Sequence, residues 1–262
     1  MSTFPISTGE PRTRDTVRHE VRRRSLTVQS RTRLTDSLVR FTLVGDDLAG
    51  FTSFGPEDHV KVVFDSADGP VGRDYTPSEF RPLGRSSGPE LDLDFVVHGT
   101  AGSATAWATA AQPGATLQVG GPRGSRLAPA GFRNVILLAD ASGMPALRRW
   151  VRAYAGVTPV HAVLFGDDAT LLDHLDEAEA LAATPQVALT GRFDLLEVVR
   201  AQDITADTFV WAAGEAGDLI PVRRWLKGEA GLPAGNLSLH GYWKRGTAGL
   251  DHHAPLDPAD PD

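Results

Sequence analysis

Arg73-Asp74-Tyr75-Thr76 is the stretch on which the reading of this chain turns. Within four residues it sets a guanidinium, an aromatic ring and a hydroxyl. The guanidinium can meet phosphate oxygens with a two-pronged fork. The ring offers a flat apolar face with a polar rim. The hydroxyl can bond the polar edge of a heterocycle. A flavin dinucleotide presents those three parts: phosphate, flat ring system and polar ring edge.

Working outward, Val60-Lys61-Val62-Val63-Phe64 and Leu91-Asp92-Leu93-Asp94-Phe95-Val96 have the apolar alternation or density of strands. In all, strands are expected at Ser25–Arg31, Leu38–Val44, His59–Phe64, Arg73–Thr76, Leu91–Val97 and Thr116–Val119, separated by Gly/Pro turns. Six short strands at this spacing predict a small antiparallel barrel. An alanine-rich helix over 103–111 interrupts it.

After Gly131 the rhythm changes. Short apolar runs at 135–139, 160–165, 186–189 and 209–212 read as buried parallel strands. Helices are expected between and after them at 144–155, 169–182, 195–201 and 219–229. That alternation predicts an open α/β sheet. The resulting domains are an arginine-rich flexible tail (1–24), a barrel (25–131), an α/β domain (132–246) and a second flexible tail (247–262).

The chain has 262 residues, enough for two cores, with ordinary hydrophobic (41%) and charged (23%) content. It contains no cysteine, which excludes disulfides, iron–sulfur clusters and a thiolate nucleophile. Neither a secretory signal nor a run of about 18 apolar residues is present, so a cytoplasmic location without membrane insertion is expected. Residues 1–33 carry eight arginines against Glu10, Asp15 and Glu20, yet the whole chain is at −7. The body is therefore acidic, which argues against nucleic acid as the partner.

Three further motifs follow Arg73–Thr76 in order. His98-Gly99-Thr100-Ala101-Gly102-Ser103-Ala104-Thr105-Ala106-Trp107 runs from a strand into a helix, where glycines and first-turn amides make an anion site. Gly121-Pro122-Arg123-Gly124-Ser125 closes the barrel, and Gly241-Tyr242-Trp243-Lys244-Arg245-Gly246 lies near the end. Together, over roughly residues 25–246, these motifs resemble the siderophore-interacting proteins, flavin reductases of the ferredoxin-reductase superfamily that release iron from ferric siderophores.

The resemblance implies a six-stranded FAD-binding barrel followed by an open α/β nicotinamide-binding domain. It places FAD on Arg73, Tyr75, Thr76, His98, Gly99, Gly102, Ala104, Thr105, Trp107, Gly121, Arg123, Gly124, Ser125 and Trp243. NADH or NADPH is expected at Asp140, Ser142 and Gly143 in the first turn of the α/β domain, and at Gly214 and Glu215 in the second. No Gly-x-Gly-x-x-Gly fingerprint is present. Lys244, Arg245 and Lys61 are the candidates for an anionic ferric siderophore.

The chain departs from the family pattern at Pro77-Ser78, where relatives often carry a second arginine, and at Ala141, where they carry glutamate. The lost acid admits ferredoxin as an alternative donor. The reaction implied is FAD-dependent reduction of a ferric siderophore by NAD(P)H, at the flavin and without a catalytic side chain. The alternatives are a general flavin electron-transfer reductase with another acceptor and a non-catalytic flavin- or siderophore-binding protein.

Overall fold

The computed structural model describes residues 4–67, 69–84, 88–97, 102–189, 194–247, 249–250 and 254–261. The first half forms β1 (Thr16–Arg18), β2 (Arg23–Arg33), β3 (Leu38–Val44), β4 (Val60–Phe64) and β5 (Val71–Tyr75). It continues with β6 (Pro77–Arg81), β7 (Glu90–Val96), helix α1 (Ser103–Ala110), β8 (Thr116–Gly120) and β9 (Gly124–Arg126). One antiparallel sheet runs in the order β5-β4-β8-β2-β3-β7-β6, and β1 pairs with β9 in a separate ribbon. Seven strands therefore build the sheet rather than six. The additional one is β6, whose Pro77 is tolerated at the start of an edge strand because it owes no ladder hydrogen bond there.

The two edge strands, β5 and β6, are separated in sequence by Thr76 alone. The sheet must therefore curl until its edges meet at that residue. The period of two fixes what lies inside the curl: Val60, Val62 and Phe64 of β4 are buried while Lys61 and Val63 face out. Leu91, Leu93 and Phe95 of β7 join the same core.

The second half comprises β10 (Asn134–Ala139), α2 (Met144–Tyr154), β11 (Val160–Gly166), α3 (Glu177–Ala182) and β12 (Ala183–Leu189). Then follow α4 (Leu195–Arg200), β13 (Thr208–Glu215), α5 (Ala216–Lys227) and β14 (Leu237–Trp243). All its strands are parallel, in the order β12-β11-β10-β13-β14. The direction of build-up reverses between β10 and β13, the switch point at which an open α/β sheet offers a crevice. No helix among the described residues is long and apolar enough to cross a membrane.

Four sequence expectations change. The helix expected over 169–182 is a single 3-10 turn, Leu171–His174, followed by α3. Asp176 restarts the helix through a capping box with Glu179. Strand β14 was not foreseen, although the Gly241-Tyr242-Trp243 motif ends it. The segment expected as an N-terminal tail instead straps both domains: Ser7 N donates to Ala128 O, β1 pairs with β9, and Arg12 pairs with Asp207. At the other end, Asp257 and Asp260 dock on α5 through Arg224, Arg223 and Lys227.

The two domains are joined by polar groups that leave the surface of one and are satisfied by the other. Arg149 of α2 is 1% exposed and donates to the carbonyls of Pro77 (2.6 Å) and Gly55 (2.6 Å) and to Ser53 Oγ (2.7 Å). Asp168 accepts from the Thr35 hydroxyl (2.8 Å) and the Ser37 amide (3.0 Å). His174 Nε2 lies 3.0 Å from Asp94 Oδ2 on β7, both side chains fully buried.

Burial lowers the pKa of His174 against the opposing pull of Asp94. The unfolded chain therefore takes up a proton that the folded one refuses. This contribution to stability is present above the unfolded value of 6.5 and is lost as pH falls through the lower folded value. Each pH unit in that window removes up to about 1.4 kcal/mol. The melting temperature is expected to fall between about pH 7 and about pH 5 in the natural protein, and less steeply in His174→Gln. Equal slopes in thermal melts would contradict this origin.

Candidate active site

A cleft of about 1110 Å³ runs between the barrel and the carboxyl ends of the parallel strands. It exceeds the usual small-ligand pocket of roughly 300–1000 Å³. Arg73, Tyr75 and Thr76 line its barrel wall. Tyr75 rests on Phe95 at 4.3 Å between ring centroids, and burial raises the pKa of its hydroxyl. Thr76 and Tyr242 of β14 line the cleft together. Arg73 donates to the carbonyl of Gly72 at 2.8 Å and meets no carboxylate among the described residues.

Ala104 and Thr105, in the first turn of α1, line the same wall, and no side chain caps that helix start. A guanidinium without a carboxylate partner among the described residues and the uncapped first turn of a helix, both lining one cleft, fit a diphosphate. The donor set here thus suits a flavin dinucleotide. Arg123, Gly124 and Ser125 complete the wall. Ser125 Oγ donates to Asp58 (2.5 Å) and accepts from the Phe54 amide (2.9 Å), which fixes the turn.

Other expected contacts fall elsewhere. Trp107 packs in the barrel core with Phe41 (4.8 Å) and Phe95 (5.3 Å). Gly102 caps α1 with φ 102°, and Gly121 accepts from the buried Arg24 at 2.6 Å; neither is among the lining residues. His98 and Gly99 lie outside the described residues.

On the α/β wall, Asp140, Ser142 and Glu215 line the cleft at the switch point. The lone pairs of Asp140 are already committed. It accepts from the Ser142 amide (2.8 Å) and hydroxyl (2.6 Å), the Glu215 amide (2.9 Å) and Trp243 Nε1 (2.7 Å). Glu215 accepts from the Asp218 amide at the start of α5 and the Arg245 amide. These two acids lock three turns together and orient Trp243, which also lines the cleft.

Gly143 and Gly214 do not line the cleft. A Cβ on either would sit 2.6 Å from Ala213 O or 2.7 Å from the Asp140 carboxylate, so they serve the close approach of the two turns. Among the substrate candidates, Lys61 lines the cleft and pairs with Asp74 (2.7 Å). Arg245 pairs with Glu215 (3.2 Å) and Asp218 (3.1 Å) at its mouth, whereas Lys244 lies outside it.

Comparison with known proteins agrees with this architecture. Residues 27–71 and 65–126 match the model of the siderophore-interacting FAD-binding domain, and 132–246 match that of the siderophore-interacting protein. The NADPH-dependent ferric-chelate reductase of Escherichia coli is 35% identical over 234 residues, covering 78% of this chain and 87% of that one. The chain belongs to the siderophore-interacting protein family.

A siderophore utilization protein from T. fusca superposes with a TM-score of 0.81 at 33% identity, covering 92% of this chain and all of that one (100%). The ferredoxin reductase of carbazole 1,9a-dioxygenase, at 18% identity and a TM-score of 0.67, shares the fold. It covers 84% of this family member and 69% of its own length.

Several lining residues of this family member carry no signal in the sequence. Glu57 enters from the loop before β4, pairs with Arg14 and accepts from Trp211 Nε1 (2.9 Å), with His240 at 3.5 Å. Burial opposes its ionisation, but Arg14 and His240 outweigh it and hold the carboxyl well below the usual range. Asp168 likewise resists burial through bonds from Ser37, Thr170 and Thr35, which bring it to about 2. Arg18 and Arg126 line the cleft from the ribbon of β1 and β9, a pairing that no local pattern announces.

Proposed function

We propose that this siderophore-interacting protein is a FAD-dependent ferric-siderophore reductase, taking electrons from NAD(P)H and releasing Fe(II). One observation carries the reading. The Arg73-Asp74-Tyr75-Thr76 wall and the switch point of the α/β sheet face each other across a single cleft. The donor is a cytoplasmic reductant, and the reading places the reaction in that compartment.

Bound flavin supplies the conversion of a hydride pair into the single electrons that Fe(III) accepts. The chain supplies binding and orientation. Arg73 and the first turn of α1 hold phosphate, and the Tyr75 ring, stiffened by Phe95, presents a flat face. Thr76, on the same wall, offers its hydroxyl to the polar ring edge. Asp140 fixes Trp243 beside the donor turn. No general acid or nucleophile is required, since reduction itself weakens the hold of hard oxygen donors on iron.

The purified protein is expected to show flavin bands that bleach with NADPH or NADH under argon. The bands should return when a ferric siderophore is added, with Fe(II) appearing in step. Absence of flavin bands after reconstitution with FAD would sink the reading. Ala141 in the cleft, where relatives carry an acid, leaves room for ferredoxin as the alternative donor. In that case bleaching would need reduced ferredoxin and neither nicotinamide would suffice. Reduced flavin that ignores ferric siderophores but passes electrons elsewhere would identify a general reductase.

A further inference from the structure

We infer that His240, braced by Glu57 and Ser238, is a proton donor that captures the chelate oxygens as iron leaves them. The inference rests on the reductase reading and adds a step to it. Electron transfer needs no acid, but in neutral water the oxygens freed from iron end up protonated. Along β14, Ser238, His240 and Tyr242 alternate with Leu237, Leu239 and Gly241, so the period of two puts the three polar side chains on one face. Leu237 and Leu239 pack on the other side with Leu219, Val222 and Leu226 of α5. Tyr242 lines the cleft with Thr76, and His240 lines it two residues, about 7 Å, back along the strand. A chelate that takes electrons at the ring edge by Thr76 therefore comes within reach of the imidazole.

The ring is held at one nitrogen only. Nε2 lies 3.0 Å from Ser238 Oγ and 3.5 Å from Glu57 Oε2. Ser238 Oγ donates to the same carboxylate oxygen at 3.5 Å, so its contact with the imidazole makes Nε2 the donor. That leaves Nδ1 as the nitrogen that gains and loses a proton. Nδ1 has no partner among the described residues, and the side chain is 34% exposed in the cleft. Charged and titratable groups approach from three elements. Glu57 enters from the loop before β4, Arg14 of the N-terminal strap and Arg126 of β9 stand behind that acid, and Tyr242 shares the strand.

Glu57 is itself anchored, by Arg14 and by Trp211 Nε1 at 2.9 Å, so the brace on Nε2 is rigid. The step balances as follows. One electron converts chelated Fe(III) to Fe(II), an iron–oxygen bond breaks, and the vacated oxygen takes the Nδ1 proton of the imidazolium to form an O–H bond. Water in the cleft then returns a proton to His240. Protonation removes the oxygen as a ligand and keeps Fe(II) from being recaptured.

The test mixes the flavin-loaded full chain, photoreduced under argon, with an Fe(III) trihydroxamate and the Fe(II) chromophore ferrozine. Return of the flavin bands reads electron transfer, and the chromophore reads release. In the natural protein release should keep pace with the bands and slow as pH rises. In His240→Asn the bands should return within about twofold of the natural rate, with release about 10- to 100-fold slower and no longer pH-dependent. Added imidazole should restore release in His240→Gly. A readout without turnover is the ¹⁵N-histidine spectrum: His240 should show a protonated Nε2, and its Nδ1 signal should move when the redox-inert Ga(III) trihydroxamate is added. Natural release kinetics in His240→Asn overturn the inference and leave the reductase reading standing. Slow release that imidazole does not restore also overturns it, since the ring would then be a structural support. Weakened FAD binding in the variant overturns it as well, because His240 would serve the cofactor. Flavin bands of the natural protein that never return with the ferric chelate overturn both readings together.

Discussion

Arg149→Met is expected to lower the unfolding midpoint by roughly 10 °C and to split one thermal transition into two. The guanidinium comes from α2 of the α/β domain but spends its hydrogen bonds on the barrel: Pro77 O, Gly55 O and Ser53. Asp58 lies 3.8 Å away with a side chain 2% exposed. Burial brings the pKa of Arg149 down to about 10, so it remains charged at neutral pH.

Removing one partner from such a buried set costs about 3–5 kcal/mol, because the remaining groups stay desolvated. At about 2–4 °C per kcal/mol for a chain of this size, the shift is well within the reach of calorimetry. The loss should fall on the junction, so the domains should unfold separately. A single transition displaced by less than about 2 °C would mean that the Asp168 and His174 bridges hold the interface without it.

The second large effect concerns the cofactor. Tyr75→Ala and Arg73→Ala together are expected to weaken FAD binding by roughly 100- to 1000-fold, the sum of one aromatic face and one charge-assisted phosphate contact. The double variant should purify colourless; Arg73 is exposed, and loss of the Tyr75 ring from Phe95 should lower the melting temperature while the far-ultraviolet circular dichroism is kept. Equilibrium titration with FAD reads the effect directly. A yellow, stoichiometrically loaded double variant would place the flavin elsewhere.

Much of this architecture was legible in the sequence because it depends on local patterns. The alternation in β4, the density of β7 and the change of rhythm after Gly131 each report a strand type through burial, and burial leaves a period. Arg73-Asp74-Tyr75-Thr76 was legible for another reason: the chemistry of phosphate and ring is concentrated in four consecutive residues.

What escaped is non-local. Strand β1 has three residues and exists only because β9, more than 100 residues later, offers it an edge. The helix expected over 169–182 breaks after His174, which meets Asp94 on the other domain, and restarts at the Asp176 cap. Trp107 belongs to the barrel core because Phe41 and Phe95 surround its ring, a fact no spacing within its own motif contains. Asp140 and Glu215 line the cleft, yet their lone pairs face protein donors. Side-chain direction at a turn is set by whichever amides converge there.

The N-terminal strap has a consequence for how the protein is made. Arg12 and its partner Asp207 are 195 residues apart. At about 5–20 residues per second, a ribosome needs roughly 10–40 s to deliver the second after the first. For that interval the arginine-rich leading segment has left the tunnel without its final partner, while Glu57, the acid that engages Arg14, is already available. The barrel end of the strap can settle early. Its far end is among the last contacts to close, so Arg12 completes its contacts only after the strands of the α/β sheet before Asp207 have been made.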